Sequence, residues 1–294
     1  MILSLTPQNF DDYQLIDCGD FWKLERFGKY ITIRPEPQAV WAPSLNMAEW
    51  DKQAHVKFVP KSSSSGDWKK LKEMPGQWTI SYKLQGSVNA GLSFRLGLTS
   101  FKHVGVFPEQ AVNWEYIYQS VKSLGVEKPK FLNLFAYTGG ASLAARAAGA
   151  ETWHLDSIKQ VVTWARENME ISKLDNIRWI VEDALKFVKR EVKRGNKYNG
   201  IILDPPAYGH GPDGEKWKLE DSIGEMMQGV LQLLDEEKHL LILNAYSLGF
   251  SSMILQNLVQ QNFKPENLET GELFLRDNFD KQLPLGAFAR FIKK

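Results

Sequence analysis

The chain is expected to be an α/β protein: a mainly parallel sheet with helices on both faces, closed by a C-terminal edge hairpin and preceded by a small β-rich domain. Two rhythms predict this. Beyond Pro108, short runs that are apolar throughout alternate with helical stretches, which is how parallel strands covered on both faces read. Before it, apolar and polar residues alternate around glycines and prolines, as in β-ribbons. The boundary is placed between residues 98 and 99, giving a β-rich domain over 1–98 and an α/β domain over 99–294.

In chain order, FWKLERFGKYITIRPEPQAVW alternates around Gly28, Pro35 and Pro37. KSSSSGDWKK reads as a surface loop and QWTISYKLQ as another alternating strand. PEQAVNWEYIYQSVKSLG is a helix with Pro108 in its first turn and Gly125 at its end. The strands FLNLF, WHLD, IRWIV, GIILD and LLILNAY follow, separated by the helices ASLAARAAG, SIKQVVTWARENMEIS, ALKFVKREVKR and LEDSIGEMMQGVLQLL. ETGELFL and GAFARFI are close enough to form the final hairpin.

Composition narrows the function. The 294 residues are 43% hydrophobic and 24% charged, with net charge +1, as in an ordinary globular protein without a strong electrostatic bias. The single cysteine, Cys18, excludes a disulfide framework, a cysteine zinc cluster and a CxxC redox site. No apolar run is long enough to span a membrane, and MILSLTPQNFDDY lacks the basic-then-apolar pattern of a secretory leader. A cytoplasmic location is therefore expected.

In an open parallel sheet the ligand lies outside the carboxyl ends of the strands. At the first such end, FAYTGGAS runs from strand into helix through Gly139 and Gly140. This is neither GxGxxG nor a P-loop. Asp156 ends the second strand, where a carboxylate accepts from ribose hydroxyls or caps the next helix. Glu182-Asp183 ends the third, where it suits a purine amino group or, equally, a helix cap. Asp204-Pro205-Pro206-Ala207-Tyr208 ends the fourth. Two prolines cannot continue a ladder, so the chain must leave the sheet in a stiff turn. That turn presents carbonyls, a carboxylate and an aromatic face at the cleft mouth.

The order YTGGAS, HLD, VEDA, DPPAY resembles that of class I S-adenosylmethionine-dependent methyltransferases. More narrowly, it resembles bacterial 23S ribosomal RNA methyltransferases that act on cytosine C5 or guanine N7. FKHVGVFPEQAVNWEYIY and LLILNAYS extend the likeness over about residues 100–294. The resemblance implies a Rossmann-like fold with S-adenosylmethionine as cofactor. It also implies a set of contacts. Tyr137, Thr138 and Gly139 would lie near the methionine moiety, Asp156 at the ribose and Asp183 at the adenine amino group. Asp204 would form the cleft floor beside the methyl donor. Phe107 and Gln110 would be lid contacts, or else a core aromatic and a helix-start residue. Asp204, Pro205, Pro206 and Tyr208 would form the catalytic platform.

The pattern breaks in one place. Methylation of cytosine C5 needs a thiolate to add to C6. Relatives with that chemistry carry the cysteine after strand five, where this chain has Leu243-Asn244-Ala245-Tyr246-Ser247. Transfer to an atom already nucleophilic is expected instead, with a base nitrogen of RNA, by resemblance ribosomal RNA, as acceptor. KFVKREVKRGNK carries Lys186, Lys189, Arg190, Lys193, Arg194 and Lys197 and fits either a phosphate track or a solvated helix end. DWKKLK is a further candidate RNA contact, and GHGPDGEK is a lid or an ordinary turn. His103 reads as structural. The competing readings are a methyltransferase of a small molecule or protein side chain, a nucleotide-dependent oxidoreductase, and a non-catalytic RNA-binding relative.

Overall fold

A computed structural model describes residues 2–62, 65–87, 91–246 and 249–294. Ser63 and Ser64 of the serine-rich loop, and Ser247 after strand five, lie outside them. Contacts divide the chain into two compact units, each discontinuous in sequence. One comprises Met1–Leu5, Gln110–Leu273 and Gly286–Lys294, the other Thr6–Glu109 and Phe274–Leu285. These units differ from a division at 98/99: Met1–Leu5 lies with the α/β unit, and residues 99–109 and Phe274–Leu285 lie with the β-rich one.

Strand β1 (Ile2–Leu5) belongs to the α/β unit. The β-rich unit begins with β2 (Tyr13–Gly19), β3 (Trp22–Phe27) and β4 (Tyr30–Pro35). Helix α1 (Met47–Gln53) follows, started by a reciprocal capping box between Asn46 and Glu49. With β5 (Val56–Pro60) and β6 (Gly66–Lys70) the three earlier strands make a five-stranded sheet in sequence order. Strands β7 (Gln77–Lys83) and β8 (Gly91–Gly97) pair antiparallel. Ile16, Leu24, Ile33, Trp50 and Ala54 form the core. Strict alternation fails in β3, where Lys23 and Glu25 are buried. They are held in a network: Arg34 pairs with Glu25 at 2.7 Å, Lys23 with Glu36 at 3.2 Å, and the Tyr13 hydroxyl donates to Glu25 at 2.9 Å.

The α/β unit continues with α2 (Ala111–Ser123), β9 (Lys130–Leu134), α3 (Gly140–Ala147), β10 (Glu151–Asp156) and α4 (Lys159–Ile171). Next come β11 (Ile177–Val181), α5 (Ala184–Lys193) and β12 (Gly200–Leu203). The short pair β13 (Tyr208–His210) and β14 (Lys216–Lys218) leads into α6 (Leu219–Leu233) and β15 (His239–Ala245). Helix α7 (Ser252–Asn262), β16 (Glu269–Arg276) and β17 (Gln282–Lys293) follow, the two strands belonging to this unit up to Leu273 and from Gly286. The eight strands run β1-β16-β17-β15-β12-β9-β10-β11. Pairing from β15 through β12, β9 and β10 to β11 is parallel, and β17 joins β15 antiparallel.

This is the expected Rossmann-like sheet with its C-terminal hairpin, and one further strand lies outside the hairpin. β1 adds to β16 in parallel, from Ile2↔Thr270 to Leu5↔Leu273. Pro108 opens a single 3-10 turn, and the α-helix begins three residues later. Helix α7 buries Leu255 and Val259 and packs Leu258 against the core, but the exposed Met253 and Ile254 blur that stripe in the sequence. Connections leave β9 toward β10 on one side and β12 lies on the other, so the switch point falls between β9 and β12.

Candidate active site

The carboxyl ends of β9, β10, β11 and β12 lie on one rim, because these neighbouring strands are parallel. Beyond β9 the backbone takes three left-handed steps in five residues, at Phe135 (φ 56°), Tyr137 (φ 47°) and Gly139 (φ 94°). Two of these are not glycine, so the turn is strained and must be held by its surroundings. Asp156 does part of this: Oδ2 accepts from Tyr137 N–H at 2.9 Å and Oδ1 from Ile158 N–H at 3.0 Å. The buried Asn168 amide donates to the Thr138 carbonyl at 2.9 Å. Gly140 has a packing reason of its own, since a Cβ there would lie 2.6 Å from the Trp114 indole.

Asp156 is therefore both loop anchor and acceptor toward Ile158. With three backbone N–H groups directed at it, the carboxylate still has a lone pair for a further donor. Burial raises its pKa, and the backbone N–H groups of Ile158, Tyr137 and Ser157 oppose that rise. Asp183 is the N-cap of α5, accepting from Lys186 N–H through Oδ1 at 2.9 Å. The cap reading thus holds for Asp183, and its Oδ2 is left for another donor. The neighbouring Glu182 pairs with Arg190.

Asp204 follows β12 directly. Its edge meets solvent but protein atoms surround the group, and burial pushes its carboxyl up to about 7. The turn after it is braced. Trp217, buried on β14, donates from Nε1 to the Pro206 carbonyl at 2.7 Å, and Leu219 N–H donates to the Ala207 carbonyl at 3.0 Å. The Asp204 carboxyl and the Pro205 carbonyl are left as acceptors without a partner among the described residues. The Trp217 ring also packs 4.9 Å from Phe135, so one indole ties the β12 turn to the β9 turn. Tyr208 is 57% exposed, its hydroxyl 3.1 Å from His210 Nε2. GHGPDGEK forms most of the β13–β14 hairpin rather than an open loop.

Gln110 immediately precedes α2, and its Oε1 accepts from Asn113 at 2.9 Å and Asn244 at 3.1 Å. Phe107 belongs to the β-rich unit, where its ring lies 5.1 Å from His103. Burial, then Arg34 and Lys102, hold the His103 imidazole down at about 3, neutral at any working pH. Cys18 is fully buried in the same unit; burial and then Asp277 push its thiol up to about 12.

The sequence reading missed Trp217 and a buried polar layer under the β9 turn. There Asn133 donates to Ser142 Oγ at 2.9 Å, and Ser142 meets His154 Nδ1 at 3.0 Å. The signal was present: Asn133 and His154 are polar letters inside strands that are otherwise apolar. The basic segment is largely neutralised within the protein, which favours the helix-end reading over a free phosphate track. Lys186 pairs with Glu215, Lys189 with Glu225 and Arg190 with Glu182. Arg194 pairs with Glu191 and Lys197 with Glu236. In DWKKLK, Trp68 donates to the Thr99 carbonyl at 2.7 Å and Lys72 to the Gln53 carbonyl at 3.1 Å.

A family model described as S-adenosylmethionine-dependent methyltransferase matches residues 76–245. The chain belongs to this family. That assignment sets aside the oxidoreductase reading, as the lack of GxGxxG already suggested. Among solved structures, the S-adenosylmethionine-dependent methyltransferase from Agrobacterium tumefaciens is 36% identical, with a TM-score of 0.90 over 99% of this chain and 94% of that one. Among curated proteins, the ribosomal RNA large subunit methyltransferase K/L of Shewanella frigidimarina is 30% identical over 158 residues, 52% of this chain and 21% of that protein. Its counterpart in Pseudoalteromonas atlantica is 29% identical over 197 residues, 66% of this chain and 25% of that protein. The chain thus spans about a fifth to a quarter of the length of these curated relatives.

The methyltransferase's cofactor is S-adenosylmethionine, and the donor set fits it. Two carboxylates with spare lone pairs end adjacent strands, as hydroxyl and amino donors of a nucleoside require. No helix of the described residues is long and apolar enough to cross a membrane.

Proposed function

We propose that this methyltransferase acts on a base nitrogen of RNA, ribosomal RNA in the first instance, without a cysteine nucleophile. One observation carries the reading: the consecutive residues Asp204 and Pro205 present acceptors without a partner among the described residues, while the next two carbonyls are occupied by Trp217 and Leu219. An amine whose N–H groups are accepted there has its lone pair oriented for attack. Bound S-adenosylmethionine supplies an electrophilic methyl group; the residues of the chain hold, orient and exclude water. In this reading Tyr137, Thr138 and Gly139 contact the methionine moiety, Asp156 the ribose and Asp183 the adenine. Phe107 and Gln110 cover the cofactor, and Pro206 stiffens the turn that carries Tyr208. The relatives named for large-subunit ribosomal RNA support the acceptor class, and such an enzyme would work in the cytoplasm.

Nucleoside mass spectrometry of ribosomal RNA from cells with and without the gene tests the reading. One methylated nucleoside is expected to disappear with the gene. Unchanged ribosomal RNA would exclude it as the acceptor and favour a protein side chain or a small molecule.

Two predictions arise at this point. Asp156→Ala removes the ribose acceptor together with the Tyr137 anchor. It should weaken S-adenosylmethionine binding by roughly 1.5–3 kcal/mol, or ten- to a hundredfold in Kd. Calorimetry on a folded variant with unchanged affinity would reduce Asp156 to a loop anchor. Cys18→Ser should leave methyl transfer within about threefold of the parent, because a thiol held at about 12 is not a nucleophile at neutral pH. A covalent adduct with RNA containing 5-fluorocytosine would instead demand a thiolate mechanism.

A further inference from the structure

The polar layer beneath the β9 turn carries an inference that rests on that turn holding the cofactor and goes a step below it. Asn133 and His154 are register partners on the parallel strands β9 and β10, so their side chains stand side by side on one face of the sheet. Ser142, in the first turn of α3, joins them: its Oγ accepts from Asn133 Nδ2 at 2.9 Å and lies 3.0 Å from His154 Nδ1. Ser142 and His154 are wholly buried and Asn133 nearly so. Trp179, the register neighbour of His154 on β11, packs against the imidazole with 4.9 Å between ring centres.

The same imidazole sits directly against the strained backbone. A Cβ on Gly139 would lie 3.6 Å from His154 Cε1, so the ring edge between the two nitrogens faces that left-handed step. Of the carbonyls around the step, Ala136 accepts from Gly139 N–H at 3.0 Å and Thr138 from Asn168 at 2.9 Å. The Tyr137 carbonyl between them favours a proton on the ring, against burial that holds the imidazole down at about 3. His154 Nε2 nevertheless has no hydrogen-bond partner among the described residues.

A buried ring nitrogen left unpaired is costly and calls for an explanation. Proton order along the three side chains supplies it. An amide Nδ2 can only donate, so Ser142 Oγ is the acceptor there, which leaves its own proton for His154 Nδ1. A neutral imidazole that accepts at Nδ1 carries its proton on Nε2. The unpaired atom is therefore a donor. The acceptor that faces the ring is the Tyr137 carbonyl, in a turn that is itself strained.

We propose that His154 is a positioning residue for the cofactor turn: Asn133 and Ser142 fix its tautomer, and Nε2–H completes a hydrogen bond to the Tyr137 carbonyl when S-adenosylmethionine is bound. The turn then settles against a rigid donor. What binding loses in ordering Tyr137 is offset by pairing a group that was unpaired before.

The test is nuclear magnetic resonance on the whole chain, with isotopic nitrogen labels in histidine and along the backbone, before and after saturation with S-adenosylmethionine. In the free protein His154 should be neutral with its proton on Nε2. On saturation the Nε2–H resonance should move downfield, as a new hydrogen bond requires, together with the backbone amides of residues 137–140. Two variants add a second readout. His154→Phe keeps a ring against Trp179 and removes both nitrogens, while Ser142→Ala leaves the ring and releases the tautomer. Each, when folded, should raise Kd for S-adenosylmethionine about three- to tenfold by calorimetry. Ser142→Ala should also let the Nδ1–H form appear in the histidine spectrum.

Backbone amides of 137–140 that do not respond to the cofactor overturn the assignment of the turn, and the role of His154 with it. Three results overturn the positioning role alone: turn amides that shift while Nε2–H stays in place, a proton found on Nδ1 in the free protein, or a lowered Tm with unchanged Kd in both variants. The spectra of the parent protein decide between them whether or not the variants fold.

Discussion

Replacing Asp204 by asparagine should lower the rate of methyl transfer by roughly a hundred- to ten-thousandfold, the range for a positioned proton acceptor. The same change should make the protein more stable at alkaline pH. Burial holds the folded carboxyl at about 7, against an ordinary value near 3.8. Folding is therefore favoured while the group is protonated, and that contribution is lost as pH rises from about 4 to about 7. Asparagine never ionises, so the variant should gain on the parent across this window, reaching roughly 2–4 kcal/mol at pH 8 and nothing below pH 4. Guanidinium denaturation at pH 4 and pH 8 measures the difference. A gain equal at both values would mean that the carboxylate is not what destabilises the fold. In the parent, kcat/KM should rise with pH through about 7, because the ionised carboxylate is the stronger acceptor for an N–H and presents no competing O–H donor.

The second large effect concerns Trp217. Truncation to alanine empties a buried site and should cost about 3–5 kcal/mol of stability, read as a clear fall in Tm. Trp217→Phe is more informative. It keeps a ring against Phe135 and removes only the donor to the Pro206 carbonyl, which should cost about 1 kcal/mol. The turn then loses its brace, and the freed carbonyl becomes a third acceptor beside Pro205. kcat should drop about tenfold while affinity for S-adenosylmethionine stays constant. If donor affinity falls and turnover does not, the indole supports the β9 turn rather than the β12 turn.

These two residues show what sequence patterns reach. Asp204 stands at the end of a four-residue strand that is apolar throughout, and two prolines after it leave one outcome for the backbone. Such features are local and legible. Trp217 lies 11 residues beyond the carbonyl it holds, across a hairpin that reads as a loop. Nothing in periodicity distinguishes it from any other core aromatic. The amides Gln110, Asn113 and Asn244 come together from positions more than 130 residues apart. Buried Lys23 and Glu25 defeated alternation for a different reason, because ion pairing compensates what burial of charge costs. Asp156 and Asp183 each offered two readings. The structure shows both to serve the backbone with lone pairs to spare, so the alternatives were never exclusive.

The placement of β1 has a consequence for how the chain reaches this state. Residues 2–5 join the sheet by pairing with residues 270–273, a strongly non-local contact. Closing so long a loop is slow, and it must wait until residues 270–273 have been synthesised. Until then one side of β16 presents unpaired backbone groups, the kind of edge on which other chains nucleate aggregates. Folding yield during rapid expression should therefore depend on the four residues of β1 more than their small contribution to the core would suggest.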